Sequence, residues 1–482
     1  MSKLAGQLVI ILISFAIGAA TLTRGHEWGD DFASYIMQAE SILSGDMNKF
    51  VERNTFTIFQ SSFQVGPVAY PWGYPLILTP IVAIKGISPL GLKLPGLFFF
   101  AGFLICLYLL MRSRLTYLEV LLFVSLFAFN PMLLDFLDQI LSDIPFLFFS
   151  TLALLLMTSD EKRGALDYVL LGTVLSFAFF IRTAGILLLA SFLAAEIFRI
   201  WVKRTDLGSN KQALREVFFI CATFGLLWLA YSQLFPSGSE SYFAQLQGFS
   251  LETTWRFINY YFQVFSLFFG GGNIWKYLYY VLFVFFLVGL WIRRNEERIF
   301  VIFFLLWITS LVIWPLWQGP RFIFPLLPIF VYFIFQGMKT AVNSLPEKYQ
   351  QVGQWVFYGF WIIIIGIFLF NSGARAYVNL QNNRSMNGPF DPYSTQVFEY
   401  IKEKTPSDSV VVFFKPRAMR LMTDHDAIMI TKCDRLLKGD YIVLSRKVGE
   451  NQQIPPEEIG MCNLPLDEVL KNRRFIVYEI LK

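Results

Sequence analysis

The stretch GQWVFYGFWIIIIGIFLF, residues 353–370, runs for 18 residues without a charged side chain. As an α-helix it would be about 27 Å long, close to the roughly 30 Å thickness of the hydrocarbon core of a bilayer. Similar apolar runs recur along the 482-residue chain, of which 55% is hydrophobic and 16% is charged. One soluble core could not bury that much apolar surface. The sequence therefore predicts an α-helical polytopic membrane protein.

The apolar runs predict eleven membrane-spanning helices. They cover residues 4–22, 94–111, 117–135, 141–157, 167–181, 184–200, 215–235, 275–292, 299–316, 321–338 and 353–370. The first run is preceded by Lys3, as the apolar part of a signal peptide would be, but its length favours an uncleaved anchor. A shorter run, 75–87, contains Pro80 and Gly86 and predicts either a further crossing or a half-buried helix. We therefore expect about 11 to 13 transmembrane helices.

The positions of Lys and Arg predict the orientation. If residues 75–87 do not cross, most basic groups beside the spans fall on the side of the N-terminus, which the positive-inside rule makes cytoplasmic. These groups are Arg112 and Arg114; Lys162 and Arg163; Arg199, Lys203, Arg204, Lys211 and Arg215; Arg293, Arg294 and Arg298; and Lys339 and Lys348. The net charge of +5 then indicates orientation and not nucleic-acid binding. The loop 23–93 and everything after residue 371 would lie outside the cytoplasm.

The tail, residues 372–482, is charged and proline-containing, unlike the membrane domain predicted for residues 1–371. It predicts a small extracytoplasmic α/β domain. Its predicted elements are a helix after Pro392, strands at 409–414, 427–431, 441–446 and 475–480, and a helix near Ala418. Cys433 and Cys462 lie in this tail, and both a disulfide and two free thiols are open alternatives.

An acidic segment, GDDFASYIMQAESILSGD (29–46), follows the first predicted span. Its apolar residues recur at helical spacing and predict an amphipathic helix lying on the membrane surface and ending near Gly45. One of Asp30 and Asp31 could cap this helix. A second carboxylate beside lipid is costly, however, and partial desolvation would raise a pKa toward that of a general base. Capping and deprotonation of an acceptor hydroxyl are both open.

Aromatic and basic residues follow in the same outward loop. Tyr70 and Tyr74, in AYPWGYPLILTP (69–80), belong either to an interfacial aromatic belt or to the wall of a cavity beneath the Asp pair. Lys85, inside an apolar run, either snorkels to the surface or binds a phosphate.

Three further charged residues are predicted at outward ends of spans. Asp143 precedes Pro145 and either caps a helix or helps to order a site. Arg182 and Arg321 could snorkel to the surface, but they run against the charge bias, which makes an anionic ligand at least as good an explanation. Asp30, Asp31 and Asp143 could also hold a divalent cation if they converge, although with two histidines in the chain a His-rich metal site is not expected.

The order of these motifs resembles the GT-C fold membrane glycosyltransferases, and within them bacterial relatives of protein O-mannosyltransferases and of the lipid A aminoarabinose transferase. The motifs are GDDFASYIMQAESILSGD, AYPWGYPLILTP, FNPMLLDFLDQILSDIP, FFIRTAGILLL and GPRFIFPLLP, with EYIKEKTPSDSVVVFFKPRAMRLMT in the tail. Each motif alone has low specificity, and the resemblance rests on their order along the chain.

The resemblance implies an inverting transferase that moves a sugar from a polyprenyl-phosphate carrier to a lipid, glycan or protein acceptor outside the cytoplasm, in a bacterial inner membrane. The catalytic base would be Asp30 or Asp31. Lys85 and Arg321 would neutralise the donor phosphate, and Asp143 would order the site. A polytopic transporter or flippase is the alternative, but it predicts charges near mid-membrane and an internal repeat, neither of which the sequence shows.

Overall fold

A computed structural model describes residues 3–63, 66–158, 164–202, 207–238, 248–317, 319–382, 384–447 and 452–482. Of the basic residues used for the topology, Lys162, Arg163, Lys203 and Arg204 lie outside the described residues.

Helices account for most of the chain up to residue 382. They are α1 Lys3–Thr21, α2 Asp31–Ser44, α3 Met47–Gln60, α4 Gly73–Lys85, α5 Pro89–Met111, α6 Tyr117–Ala128, α7 Pro131–Leu137, α8 Asp143–Met157, α9 Ala165–Ile181, α10 Ile186–Val202, α11 Leu207–Leu234, α12 Leu251–Val264, α13 Asn273–Arg293, α14 Arg298–Ile313, α15 Leu327–Asn343 and α16 Glu347–Asn382. Each of the eleven predicted spans coincides with one of these helices or with two consecutive helical segments, so the predicted fold class is confirmed.

Among the described residues, six helices are long and apolar enough to cross a membrane. A seventh candidate is the pair α6 and α7, bent by 50°. The bend follows from Asn130 and Pro131: the asparagine side chain accepts a hydrogen bond from the Leu133 amide at 3.2 Å, and the proline occupies the first turn of α7. Helices α1, α4, α8, α9 and α14 are apolar but shorter.

The ends of α4 show how residues 75–87 lie. Gly73 packs so closely on the end of α9 that a Cβ atom there would be 2.5 Å from the Phe180 carbonyl oxygen. Lys85, at the other end, lies beside the first turn of α5, where a Cβ atom on Gly91 would be 3.3 Å from the Lys85 side chain. Lys93, in the second turn of α5, pairs with Asp138, and Arg182, directly after α9, pairs with Asp143. Because these two aspartates are close in sequence, the start of α5 and the end of α9 lie at the same face. Both ends of α4 therefore lie near the elements that carry these ion pairs, an arrangement that favours the non-crossing alternative.

Ion pairs gather at two opposite levels of the helical part. We call the level that contains Asp138, Asp143 and the start of α2 the site face. At the other level Arg114 pairs with Glu297 at 3.0 Å and Lys339 pairs with Glu119 at 3.0 Å. These pairs join the starts of α6 and α14 to the ends of α5 and α15.

The helical core is aromatic and tightly packed. Helices α13 and α15 touch through their backbones, since a Cβ atom on Gly289 would be 1.9 Å from the Phe333 carbonyl oxygen. Around this crossing, ring pairs such as Phe335 and Trp361, 4.6 Å apart, fill the space between helices. The many phenylalanines therefore serve helix packing as well as the lipid-facing surface.

Helix α16 continues past residue 372, and the next helix begins at Pro392, where Asp391 accepts hydrogen bonds from the Tyr393 and Ser394 amides at 3.0 and 3.2 Å. We call residues 392–482 the C-terminal region. Its elements are α17 Pro392–Lys404, β1 Val410–Val412, α18 Pro416–Thr423, β2 Asp426–Ile428, β3 Tyr441–Ser445, β4 Leu466–Lys471 and β5 Phe475–Ile480. All the predicted elements are confirmed; β4, with its mostly exposed side chains, has no apolar alternation to predict it.

The five strands form one sheet in the order β2-β1-β3-β5-β4. Strand β1 is parallel to both β2 and β3, while β5 runs antiparallel to β3 and β4. Two apolar clusters cover the faces of the sheet. Cys433 and Cys462 form a disulfide beside the second cluster, which settles the alternative left open by their spacing.

We expect Cys433→Ser to lower the free energy of unfolding of the C-terminal region by about 3 to 4 kcal/mol, because the bond between positions 29 residues apart restricts the unfolded chain. Denaturant titration of the purified full chain, with and without reductant, measures the loss. Cys221→Ser, which changes a free cysteine, is the control. Equal stability of Cys433→Ser and the unchanged protein under oxidising conditions would contradict the prediction.

Candidate functional site

Helix α2 carries the Asp pair and confirms the predicted helix, ending at Gly45 in the left-handed conformation with φ of 78°. Its location on the membrane surface stays a prediction, but the helix is enclosed by protein on more than one side. Phe32, Ser34 and Tyr35 are all buried, because α4 packs on one side of α2 and α18 on another. The polar side of α2, which periodicity assigned to water, is covered by the C-terminal region.

Asp31 is the more tightly bound of the two aspartates. It accepts a hydrogen bond of 2.6 Å from the Tyr70 hydroxyl and forms an ion pair with Arg321. Burial raises the pKa of a carboxylate, but Arg321 and the Tyr70 hydroxyl outweigh it and lower the pKa of Asp31 to about 2. Asp31 therefore stays ionised at neutral pH and is a weak proton acceptor.

Asp143 extends this ion pair into a network. The helix begins at Asp143, but the carboxylate binds Arg182 and lies 3.6 Å from Nη1 of Arg321 instead of capping the helix. Arg182 also stacks on Phe322, with its guanidinium carbon 4.2 Å from the ring centroid. The structure thus brings Asp31, Asp143, Arg182 and Arg321 together, four of the residues that the sequence singled out.

Tyr70 and Tyr74 pack against α2, beside the Asp pair. The Tyr35 ring packs against both, at centroid distances of 4.8 and 4.9 Å, and its hydroxyl lies 3.0 Å from the Ser142 hydroxyl. Tyr74 is almost completely buried. Tyr35 and Ser142 were not predicted as site residues, since an aromatic on the apolar side of an amphipathic helix looks like ordinary core.

Asp30 has a different environment. It stands at the cap position of α2, yet its side chain makes no capping hydrogen bond. It accepts a hydrogen bond of 3.2 Å from the Arg417 backbone amide and lies 3.8 Å from Nζ of Lys415. Burial raises the pKa of Asp30 above its ordinary value, against the opposing effect of Lys415 and Arg417. The two neighbouring aspartates therefore differ in basicity.

Lys415 and Arg417 come from the C-terminal region and were missed by the sequence analysis as site residues. Arg417 is fully buried; it binds the Pro67 carbonyl and the Asn54 side chain and lies 5.5 Å from the centre of the Tyr70 ring. Their signal was the KPRAMR stretch at the start of α18, which sequence alone could not connect to a loop nearly 390 residues earlier.

A second buried network anchors the segment before Asp30. The ammonium group of Lys93 binds Asp138 at 2.7 Å and the Thr23 and Gly25 carbonyls at 2.9 and 2.6 Å. His26 accepts a hydrogen bond of 3.0 Å from the Ile140 amide, and burial lowers its pKa to about 4, so it is neutral at neutral pH. The backbone that leads into the Asp pair is therefore fixed.

Lys85 is not brought to this site. It is exposed at the end of α4, eleven positions after Tyr74, which corresponds to about 16 Å along the helix. The cations beside the Asp pair include Arg321 at Asp31 and Lys415 at Asp30.

A cavity of about 760 Å³ opens at the Asp pair. Its polar lining includes Asp30, Asp31, Arg321 and Lys415, and Trp317 contributes an apolar side. Asp143, Arg182 and Tyr74 lie behind this lining and hold Arg321 and Tyr35. The cavity thus offers two carboxylates and two cations to one ligand.

Within the described ranges, no group of three or more His, Cys, Asp or Glu side chains is arranged to hold a metal ion. Of the three carboxylates proposed as ligands of a divalent cation, Asp31 and Asp143 are bound to arginines, and Asp30 lies 3.8 Å from Nζ of Lys415. Their negative charge is balanced by protein groups.

We expect Arg182→Met to destabilise the protein by about 3 to 5 kcal/mol, because Asp143 would lose a charged partner while it stays buried. The double variant Arg182→Met with Asp143→Leu should recover part of this loss. Unfolding in mixed micelles measures both, and Arg473→Met, at an exposed position, is the control. A double variant less stable than Arg182→Met would contradict the prediction.

Comparison with known proteins gives matches at the level of structure. No family model matches the chain, and no curated protein matches it in sequence. The structure of ArnT from Cupriavidus metallidurans in the apo state superimposes with a TM-score of 0.58 at 12% identity, over 98% of this chain and 97% of that one. The same protein bound to undecaprenyl phosphate gives a TM-score of 0.54 at 11% identity, again over 98% and 97%.

The archaeal oligosaccharyltransferase AglB from Archaeoglobus fulgidus, in complex with an inhibitory peptide and a dolichol-phosphate, has a TM-score of 0.56 at 11% identity, over 91% of this chain and 69% of that one. ArnT and AglB are both membrane glycosyltransferases of the GT-C fold. At these identities the likeness concerns the fold, and it extends over nearly the whole chain. The chain is an integral membrane protein with the GT-C fold, as the order of its sequence motifs predicted.

Proposed function

We propose that the protein is an inverting glycosyltransferase that takes a sugar from a polyprenyl-phosphate carrier and transfers it to an acceptor hydroxyl at the extracytoplasmic face of a bacterial inner membrane. The observation that carries the proposal is the cavity at the site face, where Asp30 and Asp31 meet Arg321 and Lys415. Two neighbours in fold hold undecaprenyl phosphate or dolichol-phosphate, which supports a lipid-linked donor here.

Asp30 is our candidate for the general base. Its raised pKa makes it the stronger proton acceptor, and it lines the cavity. Asp31, held by Arg321 and Tyr70, positions these two groups and stays ionised. This assignment divides the roles of the two neighbours, which the sequence left open.

The proposed step needs one base and no acid. Asp30 takes the proton of the acceptor hydroxyl while the hydroxyl oxygen bonds to the anomeric carbon from the side opposite the phosphate. The bond from that carbon to the phosphate oxygen breaks, and its electron pair leaves on the phosphate. Arg321 and Lys415, both in the cavity lining, stabilise the departing anion.

Two observations support the extracytoplasmic orientation. The site face is the level that the positive-inside rule predicts to be outside. The C-terminal region on that side carries the Cys433–Cys462 disulfide, and such bonds persist in oxidising compartments. The N-terminus would then be cytoplasmic.

We expect Asp30→Asn to lower the rate of transfer by about 100- to 10,000-fold, because the base is lost. Asp31→Asn should also reduce it, through the release of Arg321, and the double variant should be inactive. The measurement is release of polyprenyl phosphate from a panel of undecaprenyl-phosphate-linked monosaccharides, with membrane levels of each variant determined alongside.

Asp46→Asn is the matched control, since Asp46 is exposed in the same loop and its side chain makes no capping hydrogen bond. Full activity of the double variant at normal membrane levels would overturn this mechanism.

The pH profile tests Lys415 and Asp30 together. Transfer requires ionised Asp30, so kcat/KM falls on the acidic side as this carboxylate is protonated. Lys415 lowers the pKa of Asp30, and Lys415→Met should therefore move the acidic limb to higher pH, while Lys415→Arg keeps it in place. Lys432→Met, at an exposed position, is the control. An unmoved limb in Lys415→Met would exclude Asp30 as the titrating base.

A further inference from the structure

A second cavity, of about 310 Å³, lies beside the first in the C-terminal region. Trp28, Lys415 and Gln452 line both cavities, so the two share a wall. Trp28 is only two positions before Asp30, and Nζ of Lys415 is 3.8 Å from the Asp30 carboxylate. A ligand held in the second cavity would therefore end close to the proposed base.

The second cavity differs from the first in charge. Among its described lining residues are three cations, Lys415, Lys447 and Arg474, and none is a carboxylate. The first cavity instead combines cations with Asp30 and Asp31. An anionic group is therefore favoured in the second cavity, where no lining carboxylate repels it.

Contacts within the protein fix the Arg474 side chain in a position to bind such a ligand. Its Nη1 atom donates to Asn387 at 2.7 Å and to Asp391 at 2.5 Å, and its guanidinium carbon lies 5.3 Å from the centre of the Tyr393 ring. In the described part of the chain, its Nε and Nη2 atoms have no hydrogen-bond partner and are free to donate. A fixed guanidinium with one open edge suits a phosphate or a carboxylate.

The remaining lining fits a sugar ring. Trp28 is half-buried and fixed edge-on by Phe414 and Phe475, at centroid distances of 5.0 and 6.2 Å. A rigid aromatic ring of this kind offers an apolar surface to the C–H face of a pyranose. The side chains of Asn387, Ser445 and Gln452 add polar atoms at the same cavity.

We propose that the second cavity is the acceptor subsite and that it binds an anionic saccharide, one that carries a phosphate or a carboxylate. This inference rests on the proposed transferase function for the role of acceptor, although the binding itself does not. Arg474 and Lys447 hold the anionic group, Trp28 packs on the sugar, and the acceptor hydroxyl reaches Asp30 past Lys415.

Isothermal titration calorimetry of the full chain in neutral-lipid nanodiscs tests the binding, with glucose 1-phosphate, glucuronic acid, glucose and inorganic phosphate as probes. The two charged sugars should bind at least about tenfold more tightly than glucose or phosphate, and increasing salt should weaken them. The better of the two charged sugars identifies the anionic group.

Lys447→Glu should weaken the charged sugars by about tenfold or more, because an exposed lysine of the lining is reversed in charge without loss of a buried contact. Lys404→Glu, the same change at an exposed position of α17, should leave the binding unchanged. Asp30→Asn should also bind the charged sugars, since Asp30 does not line the second cavity.

Four results would overturn the inference in whole or in part. Glucose bound as tightly as the charged sugars would exclude the anionic group, and phosphate bound as tightly would exclude the sugar. Absence of binding in a protein that still shows Asp30-dependent transfer would place the acceptor elsewhere and leave the proposed function intact. Binding of a charged sugar that receives no transferred sugar, in a protein that still shows Asp30-dependent transfer, would instead overturn the role of acceptor.

Discussion

Arg321 is the group on which the arrangement of the site depends. It lies in the short helical segment Pro320–Leu326 and faces two carboxylates, Asp31 and Asp143, from two other elements. Removing a charge from water is costly unless it is paired, and displacing Arg321 would leave Asp31 without its ion-pair partner. The starts of α2 and α8 and the segment before α15 are therefore held at one point.

The first loop and the C-terminal region complete each other. Arg417 and Arg420, both buried, share the Asn54 side chain, and Arg53 binds Asp424 at 2.5 Å and Asp426 at 2.9 Å. These contacts cover the polar side of α2, which explains why an amphipathic helix is buried on both sides. The C-terminal region is thus part of the site, because it provides Lys415 and the backbone amide that binds Asp30.

The sequence singled out residues of the candidate site whose charge is unusual for their location. Arg182, Arg321 and Asp143 are charges at the ends of apolar runs, which are costly unless they are paired, and the structure pairs them. The positions of the membrane-spanning helices could also be predicted, since each span is a long apolar run. Lys85 followed the same rule, yet it is exposed, because a lysine near a helix end can reach water with its own stem.

Contacts between residues far apart in the chain could not be predicted from the sequence. Lys415 is an ordinary lysine in a charged tail, and its importance comes from the 3.8 Å that separate it from Asp30. The same contact explains how two adjacent aspartates acquire different properties. Asp31 forms an ion pair with Arg321 and accepts a hydrogen bond from the Tyr70 hydroxyl. Asp30 is buried, accepts a hydrogen bond from a backbone amide and has its nearest ammonium group, that of Lys415, 3.8 Å away. Full pairing outweighs desolvation at Asp31, and desolvation prevails at Asp30, which is why we propose Asp30 as the base and Asp31 as the anchor.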